Sequence, residues 1–365
     1  MAELIHGDPA AWDDHLRDVH RDIHHTAGFH EYARGSGEGE PFLIVVRHGD
    51  RGLAWPYLLR RVDEVQGLAG SDATDVSSVY GYPGPLVWGD PEPDFVDAAW
   101  RDVLDVWRGQ RAVAAFTRFN PVLGNAELMP HLRVPGDSSQ GIGGQAGGTP
   151  TVSIDCTLSD TTAAETYGRV LRQEIAAARR AGLVTTHDEA WSGRGEFVRL
   201  YRETMERSGA AAWYYLDAAD LDRLRSALGD GIHLLVTTVD GAVAAAGLFT
   251  EFGGIVHAHL VGTDIRLRTF SPLKVLLDDA RAWAHRRGNK ILHLGGGRGG
   301  EDDSLFAFKA RFSPRRHAFH TGRWIVDTRR YQELVSAGNP AAPSATAPGA
   351  GFFPAYRAPL VQVEG

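Results

Sequence analysis

Cysteine occurs once in these 365 residues, at Cys156. A lone thiol cannot form an intrachain disulfide, so packing and hydrogen bonds must hold the fold. Cys156 ends an alternating run, TVSIDC over 151–156, which reads as a strand with a structural thiol rather than a nucleophile. No apolar run approaches the roughly 20 residues that span a bilayer. The opening residues, MAELIHGDPAAWDDHL, are polar and acidic, unlike a secretory signal; a cytoplasmic protein is expected. Basic residues are in deficit, 38 Lys and Arg against 46 Asp and Glu, for a net charge of −8. That excludes a chain coated all over by nucleic acid and leaves only a local basic patch. HExxH is absent as well. His20 and His24 have helical metal-ligand spacing, but no carboxylate or Cys cluster lies near them in sequence, so no metal is expected.

What is present is ordinary globular composition, 43% hydrophobic and 23% charged, at a length that suits two domains. Asp8 and Pro9 mark the start of a helix over 10–19. PFLIVVR (41–47) and GLAWPYLLRR (52–61) read as a hairpin turning at 48–50. A helix over 95–108 and a strand over 112–118 complete an α/β pattern. The segment 135–150, PGDSSQGIGGQAGGTP, has no hydrophobic period and reads as a loop at a domain boundary. Beyond it come a strand over 152–156, a helix over 162–181 stopped by Gly182, a strand over 184–187, and helices over 194–208 and 218–228. Three strands follow over 233–239, 242–251 and 254–262, joined by tight turns. A helix over 272–287, a strand over 290–294, a glycine loop over 295–300, a short helix over 305–312 and a strand over 323–326 finish the pattern. The Pro/Ala/Gly-rich tail, 336–365, reads as poorly ordered.

A meander, a long helix, a strand, a short helix and a final strand form the element order of a GNAT domain. The segments HAHLVGT (257–263), SPLKVLL (271–277), LGGG (294–297) and LFAFKARF (305–312) resemble the C-terminal domain of the FemABX family, with its F-K-x-x-F helix. TMER (204–207) followed by Tyr214 and Tyr215 resembles that family's helix and aromatic pair, and 169–182 its Arg-rich helix. DIHHT (22–26) and YGYPGP (80–85) match a first-domain pattern of related bacterial sequences. The resemblance implies an α/β (α+β) fold of two tandem GNAT-like domains with mixed sheets, split as 1–145 and 146–335, without the long helical arm of the larger members. It further implies an acyltransferase that moves an aminoacyl group from aminoacyl-tRNA to an amine. The acceptor would be a cell-wall (peptidoglycan) precursor, or a peptide or aminosugar of antibiotic biosynthesis. No cofactor is then expected beyond the charged tRNA, with acetyl-CoA as the alternative donor.

The residues themselves suggest roles. Lys309, beside the glycine loop, suits an anionic or developing negative group, with Gly296, Gly297 and Arg298 giving close backbone approach and charge. Asp302 and Asp303 either handle a proton or cap the 305–312 helix. Phe308, Arg207, Tyr214, Tyr215 and His257 are candidate substrate-binding residues by the resemblance. Arg169, Arg172, Arg179 and Arg180 form a stripe that suits tRNA phosphates. Where a CoA-dependent enzyme needs a glycine-rich pyrophosphate loop, residues 266–272 read RLRTFSP, with no glycine and a proline lacking its N–H.

Overall fold

The computed structural model describes residues 2–89, 92–129, 132, 134, 141–142, 149–211, 214–297, 303–338 and 352–359. The chain forms two compact units, Met1–Thr149 with Ala318–Gly365, and Pro150–His317. In chain order the first unit contributes β1 (Ala2–His6), α1 (Pro9–His15), α2 (Ala27–Gly35), β2 (Glu40–His48), β3 (Arg51–Arg61), β4 (Thr74–Ser77), β5 (Leu86–Trp88), α3 (Pro93–Gly109), β6 (Ala112–Arg118) and β7 (Gly141–Ile142). The second is built from β8 (Thr149–Asp155), α4 (Asp160–Thr166), α5 (Arg169–Arg180), β9 (Val184–His187), α6 (Arg194–Ser208), α7 (Ala218–Leu228), β10 (Ile232–Val239), β11 (Ala242–Phe252), β12 (Ile255–Thr263), α8 (Pro272–Arg286), β13 (Ile291–Gly295), α9 (Ser304–Ala310) and β14 (Arg316–Phe319). The chain then returns to the first unit as β15 (Thr321–Ile325) and α10 (Thr328–Gly338).

The first unit's sheet runs β1-β2-β3-β4-β6-β15-β7, with β5 on β3. Its apolar strand runs are buried on both faces. Ile44, Val46, Trp55 and Tyr57 pack with α3, while Leu43, Val45 and Ala54 pack with α1 and α2. Two-sided burial is why PFLIVV reads as a continuous hydrophobic run rather than an alternating one. The second unit's sheet runs β14-β8-β13-β12-β11-β10-β9. Val152, Ile154, Leu235, Phe249, Val256, Leu292 and Leu294 turn toward residues of α5, α8 and α9. Across β12, α6 lies so close that a Cβ on Gly262 would stand 2.5 Å from Tyr201 N and 2.6 Å from Leu200 C. Those are backbone atoms and cannot swing aside. Gly262→Ala should therefore cost roughly 1–3 kcal/mol, seen as a lower denaturation midpoint with an unchanged slope.

Several expectations are corrected. The contiguous split into 1–145, 146–335 and a tail differs from the observed units, because β15 pairs with β6 and α10 packs on the first unit's core. Residues 352–359 of the expected loose tail are placed. Tyr356 is buried, its hydroxyl donates to Asp75 Oδ2 at 3.1 Å, and Arg357 bonds the same oxygen at 2.5 Å. The helix expected over 162–181 is two, α4 and α5. Tyr167 takes an extended conformation and turns into the core against Phe312, and Gly168 precedes α5. The first helix stops at His15. His20 lies outside any helix and His24 in a tight turn, Ile23–His25, so the pair shares no helix face. Most of the loop expected over 135–150 lies outside the described residues; residues 141–142 pair with β15.

Candidate active site

Two strands part in the middle of the second unit's sheet. β12 and β13 are the parallel pair, and their register covers only Ile255↔Ile291, Val256↔Leu292 and His257↔His293. β12 continues to Thr263, held by β11 on its other side. β13 continues to Gly295, which pairs with Val152 of β8 after a register shift. Past His257 and His293, no further pairing between the two strands is present among the described residues.

Lys309 is tied to this opening. Its Nζ donates to Gly296 O at 2.6 Å, just beyond the end of β13. A Cβ on Gly296 would stand 3.0 Å from Pro150 O, a tight contact that favours glycine there. Lys309 is half-buried. Burial lowers its pKa from the ordinary 10.5 to about 8, with the nearby Asp303 charge opposing the shift. Asp303 resolves its two readings as a cap: its side chain accepts from Phe306 N at 2.9 Å at the start of α9. Phe308 is half-buried against the core, 5.6 Å from the Phe312 ring, and is a scaffold side chain. Arg298 and Asp302 lie outside the described residues; Gly297 is half-buried.

His257 is the last residue of β12 paired with β13. Its Nδ1 is 3.1 Å from Nδ1 of His293, whose Nε2 is 2.9 Å from Thr151 Oγ1. Thr151 Oγ1 donates to His317 O at 3.3 Å, and Ser153 Oγ contacts His317 Nε2 at 2.7 Å. These side chains alternate with Val152, Ile154 and Leu292, so they occupy the sheet face opposite the α5, α8 and α9 layer. Sequence reasoning missed Thr151, Ser153, His293 and His317. The available signal was polar residues at every second position of two strands whose other positions are apolar.

The remaining expected residues sit elsewhere in the unit. Arg207, exposed on α6, bonds Thr204 Oγ1 at 2.9 Å and Thr263 O at 3.2 Å, and so ties α6 to the end of β12. Tyr214 and Tyr215 are half-buried after α6. Arg179 is held by Asp278 (2.8 Å) and Asp279 (2.6 Å) of α8. Arg169, Arg172 and Arg180 are exposed on the same arc of α5. At the start of α8, Ser271 is left-handed (φ 56°), Pro272 has no N–H, and Lys274 N already donates to Ser271 O at 3.0 Å. Arg266 is clamped by buried Asp264 at 2.5 Å, which holds that carboxyl well below its usual range; Arg199 is occupied by Glu196 and Glu203.

Cys156 is fully buried, and burial pushes its thiol up to about 12. The native chain should not react with iodoacetamide at pH 8, whereas the denatured chain should take up one equivalent. Rapid labelling of the native chain would contradict the structural reading.

Residues 166–310 match the acetyltransferase (GNAT) domain family. The chain is similar in fold to FemX, with a TM-score of 0.67 and 13% identity over 91% of this chain and 99% of that one. It also resembles the C-terminal domain of a protein described as a lysylphosphatidylglycerol synthetase from Agrobacterium fabrum (TM-score 0.51, 16% identity, 91% and 98% covered). A protein of unknown function from Bacteroides thetaiotaomicron aligns at a TM-score of 0.54 and 11% identity, over 89% and 100%. No curated protein matches the sequence. The fold is that of the GNAT acyltransferases, with mixed sheets in two GNAT-like units. The likeness to FemX, from the family whose motifs the sequence resembles, is one of fold. No helix among the described residues is long and apolar enough to cross a membrane.

Proposed function

We propose that the chain is an aminoacyltransferase that forms an amide bond, taking the aminoacyl group from aminoacyl-tRNA and giving it to an amine. The acceptor class is a peptidoglycan precursor, or a peptide or aminosugar natural product. The observation that carries this reading is the pairing of an opened β12/β13 edge with a desolvated lysine anchored at Gly296. Backbone groups of β12 beyond its register with β13 are suited to hold the acyl group through hydrogen bonds. Lys309 keeps N–H donors beyond the one given to Gly296 O, and these suit an oxyanion or a phosphate. The start of α8 supports a donor other than acyl-CoA, because Pro272 and the occupied Lys274 N–H leave little of a pyrophosphate cradle.

In the reaction, the neutral acceptor amine attacks the ester carbonyl and the carbonyl electrons move onto oxygen. The tetrahedral intermediate then collapses, breaking the bond to the ribose oxygen. That oxygen leaves with a proton, and the amine nitrogen gives one up. Positioning and charge stabilisation do most of the work. The direct test supplies a mixed pool of charged tRNAs and amine-bearing metabolites. RNase-sensitive transfer of the amino acid is expected; turnover with acetyl-CoA alone would put the acetyltransferase reading in its place.

The exposed stripe on α5 supplies a second expected result. Substituting Arg169, Arg172 and Arg180 together by Ala should leave melting unchanged. It should weaken tRNA binding and reduce the slope of log K against log[salt] by up to about 2–3, near 0.7–0.9 for each phosphate no longer neutralised. An unchanged slope would remove the stripe from the tRNA interface.

A further inference from the structure

We propose that His187 and His233 form a two-histidine clamp for a late divalent cation such as Zn2+, spanning the edge strand β9 and its neighbour β10. The inference stands apart from the proposed acyl transfer and needs neither its donor nor its acceptor. His187 lies opposite Leu235 in the β9/β10 register, two positions along from His233. Leu235 belongs to the core shared with α8, so alternation turns the two imidazoles to that face. Trp283 of α8 lies against them, its ring 4.7 Å from that of His233 and 5.5 Å from that of His187. His233 Nδ1 and His187 Nε2 are 3.2 Å apart. Two imidazole nitrogens bound at about 2.0–2.1 Å to one tetrahedral zinc lie about 3.3–3.4 Å apart, so the pair already has the spacing that a shared metal needs.

The other nitrogen of each ring faces a carboxylate. His233 Nε2 contacts Glu251 Oε2 at 2.9 Å, and Glu251 is also bound by Arg287 Nε at 3.0 Å and Asn289 Nδ2 at 2.5 Å. Burial pushes the Glu251 carboxyl up, but hydrogen bonds from His233, Arg287 and Asn289 hold it down at about 2. It is ionised near neutral pH and can only accept, which puts a proton on His233 Nε2. The lone pair of the neutral ring is then on Nδ1, toward His187. His187 Nδ1 is 3.6 Å from Glu189 Oε1. Burial and the neighbouring His233 lower the pKa of His187, which keeps it neutral and able to coordinate. Without a metal, His187 Nε2–H donates to His233 Nδ1. With one, the His187 proton sits on Nδ1 beside Glu189, and the two facing nitrogens give their lone pairs to the cation. Each ring then has a carboxylate behind it, the arrangement that fixes the tautomer and raises the basicity of metal-bound histidines. Three carboxylates, Glu189, Asp230 and Glu251, outnumber the arginines that reach this place, Arg287 and Arg225, so the surroundings favour a dication. The His187 side chain is 22% exposed and that of Glu189 84%, which leaves the remaining coordination positions open to water or to Glu189 itself. Imidazole nitrogens select zinc, copper or nickel over magnesium or calcium. β9 is only four residues long and stands last in its sheet, so a cation on this pair ties a short edge strand to β10.

The full chain, stripped with a chelator, is titrated with ZnCl2 by calorimetry beside its His187→Gln and Glu251→Gln variants. The parent should take up one equivalent more than His187→Gln. Glu251→Gln should keep that equivalent but bind it about 10–100-fold more weakly, the usual cost of losing a carboxylate behind a metal-bound histidine. Zinc should raise the melting temperature of the parent more than that of His187→Gln, and MgCl2 should raise neither. Parent crystals soaked in ZnCl2 give a readout that no variant's folding can disturb. An anomalous scattering peak about 2.0–2.1 Å from His187 Nε2 and His233 Nδ1 is expected. Equal zinc uptake and affinity in the parent and His187→Gln, or anomalous peaks only elsewhere on the chain, would overturn the clamp and leave the pair as a hydrogen bond between two rings.

Discussion

Lys309→Met should slow acyl transfer roughly ten- to a hundred-fold while leaving the melting temperature unchanged or raised. The rate loss is that of about 1.5–3 kcal/mol, the worth of one charge-assisted hydrogen bond to a developing or bound anion. The stability expectation comes from burial. Among the described residues a desolvated ammonium gains the Gly296 carbonyl and the Asp303 charge in return, and an apolar chain of similar length removes the desolvation cost. The pH dependence carries a definite sign. Because the folded value, about 8, lies below the unfolded 10.5, the folded chain binds fewer protons across that window. The burial penalty is complete below about pH 8 and is relieved as pH rises toward 10.5. Stability of the parent relative to Lys309→Met should therefore rise over this window, and parent activity should fall above about pH 8 as the ammonium is lost. Equal transfer rates in the two proteins would remove Lys309 from the site.

Trp324→Ala should destabilise the first unit by about 3–5 kcal/mol, the cost of emptying a fully buried aromatic site. Trp324 is 0% exposed, and its ring lies 5.1 Å from Trp100, 5.7 Å from Trp55 and 6.4 Å from Trp107. Its indole N–H donates to Leu132 O at 3.2 Å. These partners all come from chain before residue 150, so the variant tests whether the returning segment completes the first unit's core. Urea unfolding followed by tryptophan fluorescence should show the first unit's transition at a lower midpoint, with the transition of Pro150–His317 in place. A shift below about 1 kcal/mol would mean that β15 is a dispensable addition.

The second unit's architecture was legible because its signals are local. Asp-Gly and Gly-Gly turns separate three β-rich runs, Pro272 opens α8, and Gly288 follows its end. Short strands were missed where nothing local marks them. β4 and β5 are four and three residues long; β5 exists through pairing with β3, and β4 through pairing with β3 and β6. The swap of β15 into the first sheet was invisible because its partner β6 lies some 200 residues earlier, and no local pattern encodes that pairing. Near the β12/β13 opening, Lys309 and the glycine strand end were readable as a motif, and His257 was named by resemblance. The polar contacts of His293 were not, because Thr151 and His293 are 142 positions apart and meet only through sheet register. For Phe308 and Arg179, residue type did not reveal the neighbouring Phe312 ring or the Asp278 carboxylate.

The most direct measurement of the central claim is a donor competition. The full chain is given aminoacyl-tRNA carrying one isotope and acetyl-CoA carrying another, with a common pool of acceptor amines, and alkali-stable amide product is counted for each label. The aminoacyl label is expected in product, with its loss on RNase treatment and little or no acetyl label. Product carrying only the acetyl label, formed equally with and without tRNA, would contradict that claim.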